Sequence, residues 1–170
     1  MSSFNRKPSE MSRDEFMAAF SGIYEHSQWV AEAAWEAGNS ELYDDRSRLA
    51  EVLAEIVASA DVERKTALIL AHPDLAGKAA VRGELTEAST SEQAGAGLDD
   101  CTAEEFEQFK RYNTAYKVKF GFPFIKAVKN SNRHEILAGF EERLQNNAEQ
   151  EFKTALAEID KIARFRLMEL

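Results

Sequence analysis

Thr102-Ala-Glu-Glu-Phe-Glu-Gln-Phe-Lys-Arg-Tyr-Asn-Thr-Ala-Tyr116 decides the fold class. Thr102 and Glu105 stand three apart, the capping-box pattern in which hydroxyl and carboxylate each satisfy an open backbone N–H at a helix start. Phe106, Phe109, Tyr112, Asn113 and Tyr116 then follow at intervals of three and four, which places them along one helical face. A strand needs an apolar period of two, and no run in the chain competes on those terms.

The same signals recur on both sides. Ser12 and Glu15 form another capping pattern, ahead of Phe16, Ala19, Phe20 and Ile23. A helix from about residue 27 gathers Trp29, Val30, Ala33 and Ala34 and ends at Gly38. Leu49, Val52, Leu53, Ile56 and Val57 make the next stripe. Val62 to Ala71 is closed by Pro73, because a residue before proline leaves the α region. Beyond Tyr116, Phe120-Gly-Phe-Pro-Phe124 interrupts the pattern. Residues 132–145 return to helix with Ile136, Leu137, Phe140 and Leu144 inward. Asn147 with Gln150 opens the last helix, on which Phe152, Leu156, Ile159, Ile162 and Phe165 align. The expected fold is all-α: one domain over 1–170, a bundle of about seven to nine helices. Residues 1–10 are polar and are expected to be loosely ordered.

Residues 74–100 break the periodicity. Gly77, Gly83, Gly95, Gly97 and a Ser/Thr cluster read as loop with short helical pieces, too long for an idle connection.

Composition narrows the function classes. Of 170 residues, 21 are Lys or Arg and 30 Asp or Glu, a formal charge of −9. Such a chain repels nucleic acid and anionic membranes, and no dense basic run offsets this. An anionic substrate therefore needs a local cation. Cys101 is the only cysteine, so no intrachain disulfide or cysteine metal cluster forms. Asp99 and Asp100 beside it are expected to raise its pKa and keep the thiol unreactive. Residues 1–10 hold no apolar stretch for a signal peptide, no segment suits a membrane span, and the final residues are not a peroxisomal address, so the expected compartment is the cytoplasm.

Three irregular segments and one helix could carry chemistry. In Ala71-His72-Pro73-Asp74-Leu75, the proline holds the His72 backbone extended, so the imidazole can project beyond the helix end. On local features alone, such a histidine is more often a cap or a surface residue. Ser89-Thr-Ser-Glu92-Gln93 reads as a capping box, and a helix start at Ser89 would offer N–H groups to a carboxylate or a polarised carbonyl. In Phe120–Val128, Gly121 permits close backbone approach and Pro123 fixes the turn, although most of these side chains suit a core. Arg164 and Arg166 lie two apart on a helix and point about 200° apart, so one at most faces inward. His26, His72 and His134 are scattered without HExxH or Cys/His pairing, and metal, nucleotide and GxSxG signatures are absent.

Taken in order, His72-Pro73-x-Leu75, Ser89-x-x-Glu92-Gln93, Phe120-Gly-Phe-Pro-Phe-Ile-x-Ala-Val128 and Ile162-Ala-Arg-Phe-Arg-Leu167 resemble the OHCU decarboxylase family (OHCU is 2-oxo-4-hydroxy-4-carboxy-5-ureidoimidazoline). The His26-Ser-x-Trp29-Val-Ala region is similar too, so the resemblance covers nearly the whole chain. It implies an all-α homodimer with neither metal nor organic cofactor, which converts OHCU to (S)-allantoin and CO₂ in urate breakdown. It implies His72 as the acid–base residue and Glu92 as its essential companion. Pro73, Ser89, Gln93, Phe124, Ile125, Ala127 and Val128 would line the substrate, and Arg166 rather than Arg164 would match the family's helix arginine. Two other readings fit the composition: a non-catalytic helical partner-binding module, and a same-fold enzyme acting on another ureido or imidazoline acid.

Overall fold

A computed structural model describes residues 4–38 and 40–170. Among them are nine α-helices and no β-strand, as the 3.6-residue periodicity predicts. They fall into two compact units, residues 1–71 with 160–170 and residues 72–159.

The first unit holds α1 (Arg13–Phe20), α2 (Trp29–Glu36), α3 (Arg46–Ala58) and α4 (Val62–Leu70). Three of these begin on a polar side chain that accepts an otherwise open N–H: Ser12 from Glu15, Asp45 from Arg48 and Asp61 from Arg64. Phe16, Phe20, Val30, Ala34, Leu49, Leu53, Val57, Leu68 and Ile69 form its core. Phe16 lies 4.8 Å from Phe20 and 5.5 Å from Trp35, centroid to centroid. Tyr43 is buried among them and donates its hydroxyl to the Ala34 carbonyl at 2.9 Å.

The N-terminal segment is more tightly built than its composition suggests. Residues 1–3 lie outside the described residues, but Phe4 and Pro8 are buried. Phe4 packs edge-on against Phe20 at 5.5 Å. Ser9 donates both its backbone N–H and its hydroxyl to the Asp44 carboxylate.

The second unit holds α5 (Lys78–Val81), α6 (Glu87–Gly95), α7 (Ala103–Phe120), α8 (Arg133–Arg143) and the earlier part of α9 (Ala148–Met168). The Thr102–Glu105 capping box forms in full, with both bonds at 3.1 Å. α7 stops at Gly121, whose φ of 79° a side chain would resist. The chain then folds back, and Phe124 stacks on Phe140 with centroids 3.8 Å apart. Phe109, Tyr116, Phe124, Ile136, Phe140, Ala155 and Ile159 are almost fully buried. Cys101 sits ahead of α7 with its thiol pKa pushed up, first by burial and then by Glu105, Asp100 and Asp99, against a smaller opposing pull from Arg133.

The inward face of α9 departs from the expected apolar stripe. Phe152, Leu156, Ile162 and Phe165 are half-buried. Of that stripe Ile159 is buried, and with it Glu151, Ala155 and Glu158 in the second unit and Ala163, Arg166 and Leu167 in the first. Hydrophobic spacing could not reveal this, because the charged side chains enter the interior already paired.

Candidate functional site

His72 directly follows the turn that ends α4 and is 8% exposed. Pro73 and Asp74 are half-buried, and Leu75 and Ala76 are buried. Ala76 has φ +51°, a left-handed conformation that an alanine adopts only when its surroundings impose it. A Cβ added at Gly77 would fall 2.6 Å from the Asp74 Cβ, so the tight return of this loop requires glycine there.

The sequence 89–93 is not a helix start. α6 begins at Glu87, with Thr86 as its cap accepting the Ser89 N–H at 3.2 Å. The Thr86 carbonyl takes the Thr90 hydroxyl as well. The Ser-x-x-Glu pattern misled because Thr86 supplies the same capping chemistry three residues earlier. Ser89, Glu92 and Gln93 therefore stand at i, i+3 and i+4 on one helical face. Ser89 and Gln93 are each 5% exposed, and Glu92 is half-buried.

Gln93 ties this helix to the loop after His72. Its Oε1 accepts the Ala76 N–H at 3.0 Å, and its Nε2 donates to the Asp74 carbonyl at 3.3 Å. α7 reaches the same loop: Asn113 donates to the Leu75 carbonyl at 3.0 Å, and Lys117, one turn on, pairs with Asp74. By its spacing Asn113 belongs only to a packed face. A polar amide inside the run Phe109–Tyr116 was the available signal.

The segment around Phe124 is held from α8 and α9. The Arg143 guanidinium lies 4.2 Å from the Phe124 ring centroid and donates to the Ile125 carbonyl. Its Nε pairs with Glu151 at 2.7 Å, and Glu151 also accepts from Tyr116 at 2.6 Å and from Asn146 at 2.9 Å. The Ala127 N–H is donated to Glu158 at 3.3 Å. Ile125 and Val128 are buried, and Ala127 is half-buried.

Of the two late arginines, Arg166 is the buried one and Arg164 the exposed one. Arg166 belongs to the first unit, where it pairs with buried Glu25 at 2.9 Å and donates to the carbonyls of Gly22 and Ile23. Arg164 donates to the Ser47 hydroxyl at 3.2 Å. Tyr24, beside Glu25, donates to Asp160 at 2.8 Å. Burial and that carboxylate raise the Tyr24 pKa, while burial raises that of Asp160 against the lowering effect of the tyrosine's hydrogen bond. Among the described residues no group of three or more His, Cys, Asp or Glu side chains converges as a metal site would require, and no helix is long and apolar enough to cross a membrane.

A family model described as OHCU decarboxylase matches residues 9–168. The 2-oxo-4-hydroxy-4-carboxy-5-ureidoimidazoline decarboxylase of Haloferax volcanii is 42% identical over 156 residues, 92% of this chain and 89% of that protein. The uric acid degradation bifunctional protein of Bacillus sp. (strain TB-90) is 41% identical over 95% of this chain, which spans 31% of its length. Among solved structures, an (S)-allantoin synthase superposes with a TM-score of 0.75 at 34% identity, covering 95% of this chain and 51% of that one. An OHCU decarboxylase crystallised in the presence of (S)-allantoin superposes with a TM-score of 0.71 at 22% identity, covering 88% and 94%, a likeness of fold.

Proposed function

Because the chain belongs to the OHCU decarboxylase family, we propose that it removes CO₂ from 2-oxo-4-hydroxy-4-carboxy-5-ureidoimidazoline to leave (S)-allantoin, with His72 as the acid–base residue. The observation that carries this reading is the two-point hold of Gln93 on the backbone of Asp74 and Ala76. It joins the helix bearing Ser89 and Glu92 to the segment that begins with His72. The family match runs through both compact units, which supports treating residues 9–168 as one working domain.

The substrate carries its own electron sink. Its carboxylate sits on the hydroxyl-bearing ring carbon, next to the ring C=N of the imidazoline. When the C–C bond breaks, CO₂ departs and the electron pair moves toward that C=N, whose nitrogen takes a proton and leaves an enol. Loss of the enol proton to make the carbonyl, with protonation of the ureido-bearing carbon, gives allantoin. Delivery to one face sets the hand.

The protein must hold the carboxylate out of the ring plane, stabilise developing charge and deliver that proton. Glu92, Ser89 and Gln93 take the ureido and hydroxyl groups in this reading. Backbone N–H groups along Phe124, Ile125 and Val128 meet the oxygen that bears charge as the enol proton leaves, and Pro73 and Ala127 form wall. His72 is the proton donor. Burial of His72, Ser89, Gln93, Phe124, Ile125 and Val128 supports this reading, since each such interaction is stronger away from bulk water.

His72→Asn tests it. A positioned acid–base residue contributes about 10²–10⁴-fold, so the variant should lose at least about 10²-fold in turnover while keeping its helical circular dichroism. The assay follows the optical activity of allantoin made from fresh OHCU, because spontaneous decay gives a racemate. Near-normal turnover by a folded variant refutes the assignment. A homodimer and a cytoplasmic site of action complete the proposal, to be checked by light scattering and by fractionation of the source cells.

A further inference from the structure

The backbone that follows His72 is held from outside at three consecutive residues. Gln93 of α6 bonds Asp74 and Ala76, and Asn113 of α7 bonds the Leu75 carbonyl between them. Lys117 adds an ion pair to Asp74 from the same face of α7 as Asn113. Ala76 is kept at φ +51° within this grip. Pro73 lies between His72 and the gripped residues, and its fixed φ passes their position on to the histidine with little slack.

Asn113 is the unusual member. It is 5% exposed, its Nδ2 is satisfied by Leu75, and its Oδ1 has no hydrogen-bond partner among the described residues. A buried acceptor left unbonded works against stability. An apolar side chain of similar volume would serve packing better, so packing does not account for an amide here. Its single hydrogen bond does: the donor fixes where the Leu75 carbonyl stands.

We propose that Asn113 is a positioning residue for His72, its amide N–H₂ holding the Leu75 carbonyl so that the loop presents the imidazole to the substrate. This rests on His72 as the acid–base residue of an OHCU decarboxylase. Asn113 acts through the backbone and has no role at the reacting atoms.

Two variants separate positioning from mere structure. In Asn113→Asp, an ionised carboxylate cannot donate to Leu75, whereas the protonated acid can. At alkaline pH kcat should fall by about 10–100-fold, the range a small misplacement of a reacting group produces, with KM changed by less than about threefold. As pH falls, the ratio of variant to wild-type kcat should climb, because protonation restores the donor. Asn113→Leu has no donor at any pH. Its kcat should fall by a similar factor with a flat ratio, while its melting temperature stays close to that of the wild type because the unbonded acceptor is gone.

Wild-type turnover of OHCU is measured first, and its absence would sink the assigned function before the variants are considered. With an active wild type, kcat within about threefold of it for the folded Leu variant overturns the positioning role. A flat ratio for the Asp variant does the same. If the Asp variant fails to fold, the Leu variant alone decides.

Discussion

Replacing Glu151 with alanine tests the interior that supports the Phe124 segment. The Glu151 side chain is 0% exposed and that of Arg143 is 11% exposed, so solvent can replace little of what the carboxylate supplies. Oε1 takes the Tyr116 hydroxyl at 2.6 Å and Arg143 Nε at 2.7 Å, and Oε2 takes Asn146 at 2.9 Å. Alanine leaves the guanidinium in the interior with its countercharge removed. Breaking one side of a buried pair costs about 3–5 kcal/mol. For a chain of this length each kcal/mol lowers the melting temperature by roughly 2–4 °C. The expected fall is therefore about 12 °C, read by far-UV circular dichroism on heating. Glu151→Gln keeps a carbonyl for Tyr116 and Arg143 but loses the charge and the acceptor for Asn146, so it should cost about 2 kcal/mol. Replacing both partners with apolar residues of similar volume should cost less than alanine alone, because it strands no charge. A melting temperature within about 3 °C of wild type for the alanine variant would show the pair to be worth no more than an exposed one, and the argument from burial would be wrong.

Glu92→Ala should abolish measurable OHCU turnover while leaving helical content intact, since Thr86 and not residues 89–92 caps α6; a large fall in melting temperature with turnover retained would make Glu92 a structural residue. Thr86→Ala should lower stability by about 1 kcal/mol through loss of that cap, measurable by urea denaturation, and an unchanged midpoint would refute the cap assignment. Asp160→Asn concerns pH. Burial raises the folded-state pKa of Asp160 above 3.8, so its ionisation opposes folding, and the penalty grows as pH rises from the unfolded value through the folded one. The asparagine variant, which can still accept from Tyr24, should therefore be more stable than wild type at pH 7. That advantage should shrink as pH falls toward 4, and an advantage that grows on acidification would reverse the sign of the argument. Gly121→Ala forces a side chain into φ 79° and should cost about 1–2 kcal/mol, tested by the same denaturation series.

The helical architecture was legible wherever a cap and an apolar period coincide. Thr102, Glu105 and the aromatic run behind them form α7 as read, and Gly121 ends it. Cap chemistry alone was less decisive: Ser89 and Glu92 carry a capping spacing, but Thr86 stands earlier with a hydroxyl of equal capacity. Spacing also misjudged α9, because hydropathy treats Glu151, Glu158 and Arg166 as surface residues and cannot register that Arg143 and Glu25 meet two of them inside. At Arg164 and Arg166 periodicity shows that the two point apart; only the burial of Arg166 beside Glu25 shows which turns inward. The order of His72, Glu92 and the Phe120–Val128 segment was readable along the chain. The hold of Gln93 and Asn113 on residues 74–76 was not, since it spans up to 38 residues and depends on where three separate elements come to rest.

Arg166 with Glu25, and Tyr24 with Asp160, stitch the final turns of α9 to a loop more than 130 residues earlier. The ribosome delivers the chain from its amino end, so Glu25 waits until 141 further residues have been made before its cationic partner arrives. Until that turn emerges, Glu25 faces either solvent or an interior that lacks its counter-ion. A premature stop ahead of residue 166 would leave the first unit unfinished although all four of its own helices had been made.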